Sequence, residues 1–320
     1  MSDASTSRIW GTAAGLASGA LWGLVFLAPK MAPEASPLLL SAGRYLAYGL
    51  IAAVLIAPVW RGLAPRLDAR AWRALVWLSL AGNLVYFIFV VVAVHYAGVA
   101  ASALIVGMVP VVVALWGLKD PDAPPLRQVI PPIVLAALAV GLIGWESMRH
   151  GGGAQASDGA KVWVGLAFAV AALMSWTAFA VGNSRWIGRL RDVTAHQWSL
   201  LTGVVTGALA LLLVVPAMLL AAPMAAEAWG RLAMVSVGVA VFASVIGNAF
   251  WNQASRLLPL SLLGQMIVSE TLFAMIYGYV WARRGPTAIE VVALAMMIVS
   301  VIWCVRAHRP AAEAAAEGEH

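Results

Sequence analysis

The sequence is poor in charge and in cysteine, and each shortage excludes a class of protein. Charged residues make up 11% of the 320 residues and hydrophobic residues 62%, with a mean hydropathy of +0.89. A soluble domain has about a quarter of its residues charged, so the composition predicts a polytopic membrane protein. The single cysteine, Cys304, excludes intramolecular disulfides and cysteine-based metal sites.

Motifs for catalysis and for nucleic-acid binding are also missing. The five histidines show no paired ligand spacing, and the sequence has neither a phosphate-binding loop nor a GxSxG elbow. The net charge of +6 does not indicate nucleic acid, because the basic residues cluster in short connections between apolar segments. We therefore expect no metal, no cofactor, no nucleic-acid partner and no enzymatic activity.

What the sequence has in abundance is long apolar segments. Each is long enough to cross a hydrocarbon core about 30 Å thick, and the first is too long for a signal-peptide core, so we expect it to be retained. We predict an all-α integral membrane protein with ten spans, at about residues 10–29, 36–59, 71–95, 98–118, 127–146, 162–182, 195–220, 230–255, 259–281 and 287–305.

The longest connection, residues 150–161, reads HGGGAQASDGAK and predicts a flexible external linker. It divides the chain into a five-helix repeat over residues 1–149 and a second over residues 162–306, followed by a disordered cytoplasmic tail over residues 307–320. Because five is odd, the second half must enter the membrane from the opposite side, so similar halves would form an inverted repeat.

Weak similarity between the halves supports this interpretation. Trp22 aligns with Trp176 when GALWGLVF of span one is laid on ALMSWTAFA of span six. Val109 aligns with Glu270 when VPVVVALWG of span four is laid on ETLFAMIYG of span nine. Inverted repeats with a site at the membrane midplane between them are the recurrent construction of secondary transporters.

The basic residues predict the orientation of the chain. With the N-terminus inside, the inside segments hold 13 lysines and arginines and the outside loops hold six, with Arg44 inside a span. The positive-inside rule then places both termini in the cytoplasm of a bacterial-type inner membrane.

One carboxylate stands out among the spans. Glu270 lies 11 residues from each end of the apolar segment 259–281, near the bilayer centre, where an ionised group costs about 3 kcal/mol on insertion scales. The residue either contacts a transported solute or proton, or fixes helix packing as a neutral or paired group. At about 100° per residue Gln265, Ser269 and Glu270 share a polar side that predicts a cavity wall, while Gly264 and Thr271 lie on the opposite, packing side.

Other polar and aromatic residues within the spans are candidates for the same site. Trp22 and Trp176 lie mid-span, away from the interface that tryptophans prefer, and so predict the walls of a cavity. Amides and their neighbours can contact substrate or join helices by hydrogen bonds. This group comprises Asn83, Tyr86, Asn248, Trp251 and Asn252.

Two further residues have a structural and a functional interpretation. Arg44 can snorkel or pair with a carboxylate such as Glu270, or it can bind a substrate carboxylate as a fork. Pro110 interrupts span four and frees a backbone carbonyl, which indicates either a packing kink or a gate hinge.

These features together resemble the drug/metabolite transporter superfamily, specifically its ten-helix EamA-type members. The resemblance rests on GALWGLVF followed by Lys30, on Arg44, on MVPVVVALWG and on SETLFAMIYG, and covers residues from about Trp10 to Arg306. The sequence looks most like the YddG-type amino-acid exporters, although it has Glu270-Thr271 where many members have Glu-Pro. The resemblance implies ten helices around a central cavity and transport of small metabolites.

We predict a secondary transporter that exports an amino acid, including aromatic or other apolar ones, by alternating access, as a monomer or dimer. Its partners are the small-molecule substrate, membrane lipids and, as the candidate coupling ion, the proton. Efflux of drugs or organic cations is the alternative, with Glu270 pairing to the cation. A membrane-embedded enzyme or a structural protein is a remote alternative, because no nucleophile, base or metal set is visible in the spans.

Overall fold

The structure, a computed structural model, describes residues 3–117, 126–149, 159–190, 192–258 and 260–307. These residues form helices joined by short connections, with no strand among them, which confirms the predicted all-α class. The α-helices are α1 (Asp3–Met31), α2 (Pro37–Ile56), α3 (Trp60–Leu63), α4 (Ala69–Ser79), α5 (Val85–Val106), α6 (Val109–Gly117), α7 (Leu126–Arg149), α8 (Gly159–Arg189), α9 (Ala195–Leu219), α10 (Ala226–Val239), α11 (Asn248–Leu257), α12 (Leu260–Ala282) and α13 (Ala288–Ala307).

The helices follow the ten predicted spans. Seven helical stretches among the described residues are long and apolar enough to cross a membrane, and two shorter apolar helices, Met266–Ala282 and Ala288–Trp303, follow them. Most of the linker, residues 150–158, and the tail, residues 308–320, lie outside the described residues; α8 already begins at Gly159.

One stretch combines two predicted spans. Ala69–Val106 contains 38 residues, about 57 Å if it were one straight helix, which is nearly twice the thickness of the hydrocarbon core. Its backbone leaves the helical region at Gly98 (φ 85°, ψ 169°), a conformation that favours glycine because there is no Cβ to clash. The predicted boundary between spans three and four falls at this residue.

Span four is itself broken. α5 ends at Val106 and α6 begins at Val109, so Pro110 lies in the first turn of α6, where a missing backbone N–H costs no hydrogen bond. A Cβ at Gly107 would collide with the Thr271 hydroxyl of α12, and that hydroxyl donates a hydrogen bond to the Ala103 carbonyl at 3.4 Å. The break therefore packs directly beside Glu270.

The packing of the helices has the symmetry expected of an inverted repeat. α2 packs on α9 and α7 packs on α13, and in each pair the two helices are repeat counterparts. α1 packs on α12, and the counterpart of α1, α8, packs in the corresponding way on α5 and α6. At the α2–α9 contact a Cβ on Gly49 would lie 2.5 Å from the Cα of Gly207. Only two glycines allow the helix backbones to approach this closely.

A matched pair of π-helical turns supports the same symmetry. Span three contains a π-turn over Leu80–Leu84 and span eight one over Ala240–Gly247. The wider turn of a π-helix changes the register of the backbone hydrogen bonds, and each turn presents a carbonyl to the facing helix. The Ser175 hydroxyl donates to the Ala81 carbonyl at 2.7 Å, and the Trp22 indole N–H donates to the Ala243 carbonyl at 3.1 Å.

The outer surface of the bundle is apolar. Leucine and valine side chains that would face water in a soluble protein are exposed on several helices, among them Leu50, Val54, Leu212, Leu219 and Val280. Of the tryptophans near span ends, Trp10, Trp145 and Trp281 are at least half exposed. An exposed apolar band with peripheral tryptophans matches a lipid-facing surface and its interfacial belt.

Candidate functional site

A small enclosed cavity lies at the middle of the bundle, where α1, α5, α6, α8 and α12 meet. The space in it open to a water molecule is about 10 Å³, which is room for about one water. No amino acid or drug fits this conformation without helix movement. The lining residues are Phe26, Tyr86, Ala103, Val106, Gly107, Val109, Trp176, Ile267, Glu270 and Thr271.

Among the residues that the structure describes, Glu270 is the only acidic one that lines this cavity. It is half-buried, and it makes no hydrogen bond or salt bridge to any residue that the structure describes. α12 runs through this position without a break, as expected from threonine replacing proline after the glutamate. The carboxylate is therefore free to receive a donor from the cavity.

Arg44 lies deep between α2, α5 and the π-turn of span eight, with only 6% of its surface exposed. Its Nη2 donates a long hydrogen bond to the Ser244 hydroxyl at 3.4 Å, and its guanidinium carbon lies 4.3 Å from the ring centre of Phe87 and 4.9 Å from that of Tyr45. Nε and Nη1 have no hydrogen-bond partner among the described residues. The aromatic rings stabilise the cation, but the N–H groups of these two nitrogens remain unused.

Arg44 and Glu270 do not form the direct pair that was one sequence-based interpretation of both residues. No nitrogen–oxygen distance of 4.0 Å or less joins them among the described residues, because the Arg44 side chain is occupied by Ser244 and the two rings. Arg44 and Glu270 thus lie at separate positions in the bundle, and only Glu270 lines the cavity.

The two mid-span tryptophans have different surroundings. Trp176 lines the cavity and packs against Phe179 with ring centres 6.0 Å apart. Trp22 lies outside the lining: it donates to the Ala243 carbonyl, and its ring centre is 5.1 Å from that of Trp251. Contact of either ring with substrate stays a prediction, and only Trp176 is placed for it in this conformation.

The candidate amides make contacts that join or stabilise helices. Asn83 donates to the Thr206 hydroxyl at 3.2 Å, linking span three to α9, and Asn248 donates to the Ser244 carbonyl at 2.7 Å within its own span. Asn252 is half-buried on α11. None of the three lines the central cavity.

On α12 the division between cavity side and packing side differs from the wheel drawn from the sequence. Ser269 is buried against Gly19 of α1 and donates to the Met266 carbonyl at 2.6 Å. Thr271, which the wheel places on the packing side, lines the cavity beside Glu270. The side chain of Gln265 lies outside the described residues.

The sequence reasoning missed most of the apolar lining. Phe26 lies four residues after Trp22 in the same helix, which could have indicated it, but Ala103, Val106 and Ile267 carry no local signal. Val109 does line the cavity opposite its predicted repeat counterpart, Glu270. The two residues that the alignment of spans four and nine matches thus line the same cavity.

Comparison with known proteins points to a transporter. Residues 9–119 match the model of the EamA-like transporter family. The chain is 29% identical to the inner membrane protein YtfF of Escherichia coli (strain K12), over 94% of this chain and 97% of that protein. A crystal structure at 18% identity matches with a TM-score of 0.57 over 93% of this chain and 99% of its own, which shows the fold alone. These matches confirm the resemblance to the EamA-type family and indicate a membrane transporter of small molecules.

Proposed function

We propose that this chain, similar to EamA-like transporters, is a secondary transporter of the inner membrane that exports amino acids, including aromatic and other apolar ones. The observation that carries the proposal is the composition of the central cavity. Glu270, whose carboxylate forms no ion pair with any described residue, lines the cavity together with the rings of Phe26, Tyr86 and Trp176, and Arg44 is a buried cation outside this lining.

These groups complement the parts of a zwitterion with an apolar side chain. Glu270 can accept a charge-assisted hydrogen bond from the substrate ammonium, and the rings can bury the substrate side chain. The guanidinium of Arg44 can bind the substrate carboxylate with N–H groups that make no hydrogen bond to the described residues. The site needs no cofactor for this, because transport requires only binding that can be released on the other side.

The cavity has to open for any substrate to enter, and three of the spans contain irregular helical turns. Span four is interrupted at Gly107–Met108 beside Glu270, and spans three and eight each contain a π-turn. π-turns and interrupted helices are frequent at functional sites. Exchange of conformation between the halves would open the cavity alternately to the two faces, and the proton is the proposed coupling ion.

Efflux of organic cations is the second candidate. It is favoured by one observation: Glu270 lines the cavity, whereas Arg44 does not line it in this conformation. A cation would use the carboxylate and the rings and leave Arg44 unused, so the two functions differ in whether the substrate must carry a carboxylate.

Counterflow in proteoliposomes tests the proposal. Purified protein is loaded with unlabelled phenylalanine, leucine, serine or a lipophilic cation, and the uptake of the labelled solute is followed. We expect counterflow of phenylalanine and leucine and none of the cation. Counterflow of the cation alone would support cation efflux and overturn the amino-acid assignment.

Substituting Arg44 separates the two functions further. In Arg44→Met the group that would bind the substrate carboxylate is lost, so transport of phenylalanine should fall about tenfold or more, as expected for a charge-assisted hydrogen bond. Phenylalanine amide has no carboxylate, so it should inhibit the remaining transport as strongly as it inhibits transport by the parent protein. Arg44→Lys keeps the charge without the planar fork and should give an intermediate value. Equal loss of phenylalanine and amide binding, in protein that stays folded, would assign Arg44 to packing.

The proposed orientation places both termini in the cytoplasm and residues 150–161 outside. Cysteine introduced at Ala154 in a Cys304→Ala background should react with an impermeant thiol reagent in intact cells, because the linker follows the fifth span. Reaction only after permeabilisation would reverse the topology. Cysteine at Arg61, on the opposite side of the membrane in this topology, serves as the control and should require permeabilisation.

A further inference from the structure

Two contacts join the halves of the chain at the ends of the bundle. The Glu34 carboxylate, after α1, accepts a hydrogen bond from Arg231 of α10 in a salt bridge. Arg66, before α4, donates from Nη1 to the backbone carbonyl of Asp192, before α9, at 2.8 Å. Each contact therefore links a residue of the first half to a residue of the second.

The two contacts lie on opposite faces of the membrane. α2 runs between Glu34 and Arg66, and α9 runs between Asp192 and Arg231. Each helix is long enough to cross the hydrocarbon core once. The predicted orientation makes the Glu34 face external and the Asp192 face cytoplasmic.

The acids of the two contacts are repeat counterparts. Glu34 lies two positions before Ser36, the N-cap of α2, and Asp192 lies two positions before Thr194, the N-cap of α9. The same offset of 158 residues separates Glu34 from Asp192, Ser36 from Thr194, and Gly49 from Gly207. The two acids thus occupy matched positions on the two faces, whereas their basic partners, Arg231 and Arg66, are 165 residues apart and do not share this offset.

The structure shows the two contacts, Glu34 with Arg231 and Asp192 with Arg66, in different states. On one face the Glu34 carboxylate is paired, and the hydrogen bond from its backbone together with Arg231 lowers the pKa of this carboxyl, so it stays charged at neutral pH. On the other face Arg66 reaches only the backbone carbonyl of Asp192. The exposed Asp192 carboxylate forms no ion pair with any residue that the structure describes.

We propose that Glu34 with Arg231 and Asp192 with Arg66 are matched latches of the two membrane faces, and that they engage in turn. In the present state the central cavity is closed, the Glu34 latch is engaged and the Asp192 latch is not; the engaged Glu34 latch would keep its face closed while the other face opens. When the halves exchange conformation, Arg66 moves from the backbone carbonyl to the Asp192 carboxylate and Arg231 releases Glu34. This inference rests on the alternating access proposed above and adds the contacts that set its equilibrium.

The expected size of the effect follows from exposure. Both side chains of the Glu34 latch are 41% exposed, and exposed ion pairs shift an equilibrium by about 1.5- to 5-fold. The latches are thus weak enough to release in every cycle. Breaking one should move the population of the two states without abolishing folding or transport.

The test measures access to the cavity from one face and needs no substrate. Val109, a lining residue, is replaced by cysteine in a Cys304→Ala background, and an impermeant thiol reagent is added outside intact cells. Glu34→Gln should speed labelling about 1.5- to 5-fold, and Asp192→Asn, which keeps the backbone carbonyl, should slow it by a similar factor. The two substitutions must change the labelling rate in opposite directions, whichever face of the membrane is external.

Two controls make the result specific. The charge exchange Glu34→Arg with Arg231→Glu should return labelling towards the parent rate. Glu227→Gln removes an exposed carboxylate from the same helix as Arg231 without touching the latch and should have no effect. Changes of the same sign in Glu34→Gln and Asp192→Asn, or no change in either, would overturn the latches.

The outcome is independent of the substrate assignment. If no amino acid is transported but the labelling rates shift in opposite directions, the latches stand and the proposed substrate falls. If amino acids are transported and the rates do not shift, only the latches fall. A Val106→Cys reporter on the same wall repeats the measurement, and failure of both cysteines to react in every variant would also contradict alternating exposure of the cavity.

Discussion

Glu270→Gln is expected to weaken transport of phenylalanine by about 10- to 150-fold. The amide keeps the volume of the side chain but loses the charge, and a hydrogen bond between charged groups contributes about 1.5–3 kcal/mol. Because Glu270 makes no hydrogen bond or salt bridge to the residues described, the substitution breaks no internal pair. The fold should therefore persist, with the thermal midpoint of the purified protein unchanged.

The mode of transport tells what the carboxylate does. If Glu270 binds the substrate ammonium, exchange and proton-driven accumulation should weaken together, which is the result we expect. If Glu270 only carries the proton of an antiport cycle, exchange should survive while accumulation is lost. Wild-type transport in both modes from stable Glu270→Gln protein would contradict any functional role, and Glu227→Gln, an exposed carboxylate on α10, is the matched control.

Gly49→Ala is expected to have the largest effect on stability. The new Cβ would lie 2.5 Å from the Cα of Gly207, and a backbone atom in a packed helix cannot move aside as a flexible side chain can. Forcing α2 and α9 apart should cost about 1–3 kcal/mol, the range of other overpacking substitutions. A lower thermal midpoint and a lower yield of monodisperse protein would measure this loss.

A second glycine gives the matched comparison. A Cβ at Gly141 of α7 meets nothing within 4 Å, so Gly141→Ala should be neutral or slightly stabilising, because alanine has the higher helix propensity. Gly207→Ala should resemble Gly49→Ala, since the same contact is broken from the other side. Equal stability of all three variants would show that the α2–α9 contact does not limit the fold.

The sequence predicted the class of the protein because that class depends on composition and segment length. Few charges and long apolar segments leave a membrane as the only solvent for such helices, and in hydrocarbon the backbone must satisfy its own hydrogen bonds. The boundary at Gly98 and the break near Pro110 were also readable, because glycine and proline act on the backbone at their own positions.

The candidate site was readable only in part, for a different physical reason. Glu270, Trp176 and Tyr86 could be nominated because a polar or bulky residue in a span has to be accommodated somewhere. The rest of the cavity is lined by ordinary apolar residues such as Ala103 and Ile267, which look the same in sequence whether they face lipid, a neighbouring helix or a cavity.

The sequence by itself determined an all-α protein of long apolar segments with an isolated acid in one of them, because each follows from residue type and spacing along one helix; the division into two halves stays a prediction. Only the tertiary structure decided which partners those residues have. It placed Arg44 on Ser244 and two rings instead of on Glu270, Ser269 against Gly19, and Glu34 and Asp192 at opposite ends of the bundle. These choices depend on helix rotation and on contacts between residues up to about 250 positions apart, as Gly19 and Ser269 are, which periodicity within one helix cannot fix.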